Sequence, residues 1–69
     1  MPTDPRWTAL IAEVVAEFGF EISSVEAALA RMHKTGYYEL ALAQFRGGAS
    51  EEVVKKLLRK PLVELCEDN

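Results

Sequence analysis

Residues 45–60 read FRGGASEEVVKKLLRK, and the fold turns on how this stretch is parsed. Gly47-Gly48 closes whatever helix precedes it, and Ser50 then stands where a helix N-cap is wanted. Glu51 and Glu52 fall in the first turn, Arg59 and Lys60 in the last, and Pro61 follows. Acid first and base last is the order a helix dipole favours at its two ends. The stretch therefore predicts a helix over about 51–60. Pro61 is expected to stop or kink it, with Leu62, Val63 and Leu65 forming a short C-terminal helical turn that packs back.

Working outward, the same punctuation recurs. "TDP" offers Thr3 or Asp4 as a cap, with Pro5 suited to a first helical position. Trp7, Leu10, Ile11, Val14, Val15 and Phe18 follow at three- and four-residue steps, so an amphipathic helix is expected over 5–18. Ser23 and Glu26 have capping-box spacing, which starts a second helix near Ser24 that runs to about 35. Its inner stripe is Val25, Ala28, Leu29 and Met32, and Gly36 supplies a left-handed stop. A third helix, 37–46, sets Tyr38, Ala41, Leu42 and Phe45 on one face. Strand patterns are absent. The expected fold is all-α: one domain, residues 1–69, built as a compact bundle of four short helices.

Bulk properties narrow the function. About half of the 69 residues are apolar, too many for a disordered chain. Yet so short a chain has a marginal core unless staples or a partner help. Cys66 is the only cysteine, so no internal disulfide exists, and no Cys/His set has zinc-ligand spacing. No apolar run is long enough for a bilayer, and the N-terminus lacks the layout of a signal peptide. A cytoplasmic setting is expected, with no membrane contact. The net charge of −3 argues against a general nucleic-acid binder. Charge is unevenly spread, however. Residues 1–30 hold five carboxylates against Arg6 alone, whereas residues 31–60 are rich in Lys and Arg. These halves can attract each other within the fold, between copies, or serve different partners.

Catalytic chemistry finds little support. His33 is the lone histidine and sits beside Lys34 without an evident partner. Glu13 and Glu17 lie one turn apart, but no His joins them and they fall opposite the apolar stripe. Cys66 has acidic neighbours, which raise a thiol pKa. Gly47-Gly48 follows a helix, not the strand that a phosphate loop requires. The expectation is a non-enzymatic protein with no metal or other cofactor.

Two binding readings remain. In the first, residues 41–60 form a helix-turn-helix in which Ala43, Gly47 and Val53 take the small, turn and branched core positions. Arg46, Ser50, Lys55, Lys56, Arg59 and Lys60 would then meet nucleic acid. Against it, Glu51-Glu52 occupies the turn that normally meets bases. In the second, apolar residues lying off the main stripes dock another protein. The preferred surface joins Phe20, Ile22, Tyr37 and Leu40 to a basic rim of Lys55, Lys56 and Arg59, suited to an acidic partner or to a second copy. Phe20 and Ile22 can equally staple the first loop to the core. This second reading makes the chain a small adaptor, regulator or inhibitor acting by stoichiometric binding, of a kind that phages and mobile elements would encode.

Residues 14–45, VVAEFGFEISSVEAALARMHKTGYYELALAQF, carry a resemblance as well. Phe18-Gly19-Phe20, Ala28-Leu29, Thr35-Gly36 and the later Glu39, Ala41 and Phe45 resemble the loop, second helix and third helix of ubiquitin-associated domains. Phe18 stands where that family usually has Met, Tyr37-Tyr38 replaces a polar turn, and the last spacing is off by a residue. The likeness implies a small helical fold with an apolar docking surface for a protein.

Overall fold

The structure is a computed structural model that describes residues 4–22 and 24–68, with the side chain of Phe20 also left undescribed. Among these residues it contains four helices, α1 (Pro5–Phe18), α2 (Val25–Thr35), α3 (Tyr37–Arg46) and α4 (Glu51–Glu67), and one 3-10 turn, Gly19–Glu21, after α1. No strand occurs among the described residues. Among the described residues no helix is long and apolar enough to cross a membrane.

Local chemistry explains each start. Asp4 caps α1 by accepting the Arg6 backbone N–H at 2.9 Å, with Pro5 at the first helical position; Thr3 lies outside the described residues. The cap of α2 is Ser24, whose hydroxyl accepts from the Ala27 N–H at 3.0 Å. Ser23, the expected capping-box residue, also lies outside them. Ser50 caps α4 through the Val53 N–H at 3.4 Å. Gly36 alone joins α2 to α3 and has φ +83°. A Cβ there would meet nothing within 4 Å, so glycine is needed for backbone conformation and not for space.

Helix α4 differs from the expected 51–60. It runs unbroken through Pro61 to Glu67. Proline has no N–H to give the Leu57 carbonyl, a loss of about 3 kcal/mol in an ordinary helix interior. Burial offsets it. Pro61 is fully buried, and continuing the helix carries Leu62 to the same depth on the stripe of Val54 and Leu58. Burying one leucine contributes about 2–3 kcal/mol. Arg31 of α2 then holds the last turn, 2.7 Å from Asp68 and 3.2 Å from Glu64.

All three other helices pack on α4. The core takes Trp7, Leu10 and Val14 from α1, Ala28 and Met32 from α2, Ala41 from α3, and Val54, Leu58 and Leu62 from α4. Ala28 and Ala41, both fully buried, are small where α2 and α3 come close to their neighbours. Contacts between α1 and α2 are sparse. That gap leaves one flank of the bundle unfilled.

Candidate functional site

The basic edge of α4 is divided. Lys55 reaches Glu13 of α1 at 2.8 Å. Arg59 donates two hydrogen bonds to Glu17 of α1, from Nε to Oε1 at 2.8 Å and from Nη2 to Oε2 at 3.0 Å. The acidic first part and the basic middle of the chain thus meet inside one molecule. Glu13 and Glu17 stay exposed, as their place opposite the apolar stripe suggested, but each is paired with a cation of α4, and Lys55 and Arg59 are engaged within the fold. Sequence spacing could not reveal this, because each pair is 42 residues apart.

The electrostatic consequences follow directly. The hydrogen bond and charge of Arg59 hold the Glu17 carboxyl below its ordinary 4.5. Its partner's guanidinium is correspondingly raised by Glu17, as the Lys55 ammonium is by Glu13. A carboxyl depressed by folding stabilises the fold fully above its unfolded pKa, and that contribution is lost as pH falls through the lower folded value. Asp4, held down by the Arg6 backbone N–H, acts in the same direction. Thermal midpoints are therefore expected to hold from pH 7 to about 4.5 and to drop below it, with a shallower drop in Glu17→Gln. A midpoint that ignores acid, or an unchanged slope in the variant, would refute the α1–α4 pairing.

Lys56 and Lys60 are different. Neither has a carboxylate partner among the described residues, and the Lys60 ammonium lies 6.0 Å from the centre of the Tyr37 ring. They rim an open groove of about 400 Å³ between α3 and α4, floored by Leu40, Gln44, Val53 and Leu57. Leu40 is 47% exposed and Val53 46% exposed. Large apolar side chains are thus held out beside two cations that no carboxylate among the described residues neutralises.

Of the residues expected to bind protein, Tyr37, Leu40 and Lys56 come together at or beside this groove. Ile22 does not: only 8% of it is exposed, and it belongs to the core. It takes the stapling role, because the 3-10 turn folds the loop back over the bundle. Phe20 lies outside the described side chains. Val53, Gln44, Leu57 and Lys60 were not in the expected protein-binding set. Their signal is the i, i+4 spacing of Leu40 with Gln44, Val53 with Leu57, and Lys56 with Lys60, on helix faces turned away from the buried stripe.

The helix-turn-helix positions fall otherwise. Ala43 is exposed and Val53 is largely so, whereas that pattern needs both in a shared core. The left-handed turn residue is Gly48, at φ +89°, and not Gly47. Arg46 and Ser50 are exposed, but a phosphate seeking Lys55 or Arg59 must first displace a carboxylate.

The remaining titratable side chains have ordinary structural occupations. His33 stacks on Tyr38 with ring centres 4.0 Å apart, and its Nδ1 lies 3.4 Å from Glu39. Cys66 is half-buried near the Glu21 carbonyl, and burial first, then Glu21, pushes its thiol up. No cluster of three His, Cys, Asp or Glu placed to hold a metal occurs among the described residues.

A second groove, about 450 Å³, fills the flank between α1 and α2. Trp7, Ile11, Val15, Leu29 and Tyr38 line it, with Val25 at its edge 54% exposed. No family model, curated protein or solved structure matches this chain.

Proposed function

We propose that the chain acts without catalysis, as a small module that binds another protein stoichiometrically through the α3–α4 groove, as an adaptor, regulator or inhibitor in the cytoplasm. One observation carries this reading. Of the four cations clustered on α4, the two facing α1 are neutralised within the fold, and the two facing the groove, Lys56 and Lys60, are left beside exposed Leu40 and Val53. Apolar area at the centre supplies affinity, and rim charge supplies orientation and encounter rate. The chemistry that fits is an amphipathic helix with two or more apolar residues at i, i+4 spacing and carboxylates flanking them. The likeness of residues 14–45 to ubiquitin-associated domains supports a docking role, and a free thiol suits a reducing compartment.

A direct test titrates the protein with a helical peptide bearing leucines at i, i+4 flanked by glutamates, and with its counterpart carrying lysines instead. The acidic peptide is expected to bind at least ~10-fold more tightly at low salt, with the advantage shrinking as salt is added. Equal affinity for both peptides overturns the proposal. So does tighter binding of duplex DNA than of the acidic peptide, which would place the surface with nucleic-acid binders.

A further inference from the structure

The α3–α4 groove changes in character along its length. The connection at residues 47–50 holds one pair of helix ends together. At the other end the Lys60 ammonium lies 6.0 Å from the centre of the Tyr37 ring, so the two helices run back along each other. Gln44 and Val53 each stand within one turn of the connection. At 1.5 Å per residue, Gln44 is about 10 Å from Tyr37 along α3, and Val53 about 10 Å from Lys60 along α4. Leu40 and Leu57 fall between them. The groove thus presents three levels: Gln44 with Val53, then Leu40 with Leu57, then Tyr37 with Lys60.

Of the described residues lining the groove, only Gln44 is polar and uncharged. Its main-chain carbonyl accepts the Ala49 N–H at 3.0 Å, but its side-chain amide has no hydrogen bond among the described residues. In the free protein Gln44 is exposed, and water serves that amide. A helix laid over Leu40 and Val53 removes the water. The two lysines can turn their ammonium groups out to solvent on long stems, whereas the shorter Gln44 is flanked by Leu40 one turn back and by Val53 on the opposite helix. An amide that loses water and gains no partner weakens binding, and a second amide opposite it offsets the loss by both donating and accepting. A helix slipped by one turn sets an apolar side chain on Gln44 and its own polar one on Leu40 and Leu57, so both mismatches count against the wrong register.

We propose that Gln44 sets the register of the acidic helix held by this groove. That helix carries an asparagine or glutamine one turn beyond its apolar pair, placed over Gln44, with its carboxylates toward Lys56 and Lys60. The inference rests on the binding role proposed above for the same groove, and it adds a specificity residue to a surface otherwise described by area and charge.

Calorimetric titration with a set of acidic helical peptides tests it. Each peptide extends the leucine pair by one turn, toward its N-terminus or toward its C-terminus, and the added stripe position is asparagine or leucine. For the direction of extension that binds more tightly, the intact chain is expected to favour asparagine over leucine about 10-fold, the effect of one amide left unpaired. Gln44→Leu is expected to reverse that order, so that the ratio of the two affinities shifts about 100-fold. Its helical circular-dichroism signal should be unchanged, because leucine is as good a helix former at an exposed position. An affinity ratio that is the same in the intact chain and in Gln44→Leu overturns the proposal, as does an intact chain that favours leucine. If the acidic peptides still outbind their lysine counterparts in that case, the failure is confined to Gln44 and the acidic-helix role stands. If no acidic peptide binds, both fall together.

Discussion

Trp7→Ala is expected to unfold the chain at room temperature. Trp7 is almost fully buried, edge-on to Tyr38 with ring centres 5.5 Å apart and tilted against Phe45 at 5.4 Å. Its indole N–H donates to the Tyr38 hydroxyl at 3.2 Å. It therefore fastens α1 to α3 through both apolar area and a hydrogen bond. Truncating a buried aromatic to alanine costs about 3–5 kcal/mol, the cavity included. A core of this size, with no disulfide or metal, supplies only about 3–5 kcal/mol in all. The whole margin is consumed. Trp7→Phe keeps most of the area and loses the hydrogen bond, so a cost of about 1–2 kcal/mol and a cooperative urea transition are expected. If Trp7→Ala kept a sharp transition near that of the unaltered chain, the aromatic cluster would not be the anchor described.

The second large effect is on binding. Lys56→Glu combined with Lys60→Glu is expected to weaken the acidic helical peptide about 100-fold at low salt. A unit-charge pair 6 Å apart in water is worth about 0.7 kcal/mol. Reversing one charge turns that attraction into equal repulsion, about 1.4 kcal/mol per site, and two sites give about 2.8 kcal/mol. Most of the difference should vanish near 1 M salt, where the screening length is about 3 Å. Stability should scarcely change. Both lysines are exposed, and the new i, i+4 repulsions with Glu52 and Glu64 cost only a few tenths of a kcal/mol. Lys55→Glu with Arg59→Glu provides the contrast, because it sets like charges against Glu13 and Glu17 and should lower stability instead. If the two double variants behaved alike in both measurements, the division of the basic edge would be wrong.

The helices were legible because their causes are local. Asp4, Ser50, Gly36 and the stripe from Trp7 to Phe18 act within a few residues, and the structure places helices where they indicate. Pro61 misled because its local cost is opposed by distant packing. Only the fold shows that Leu62 has a core to enter. Ile22 was undecidable for the same reason, since its neighbours could be solvent or the core. The largest gap concerned charge. Helical periodicity tells which side of α4 Lys55 and Arg59 occupy, but not that α1 lies there with Glu13 and Glu17 in matching register. The groove-facing pair could be recognised only after the other pair was accounted for. Leu40 was visible as surplus apolar surface, while Val53 was hidden in a run of two valines whose second member, Val54, is core.

The two grooves share no lining residue. Substitutions lining one groove, such as Leu40→Ala, and substitutions lining the other, such as Val25→Ala, thus have no groove in common. Their effects on stability should add, and each groove can be altered without changing what the other offers a ligand.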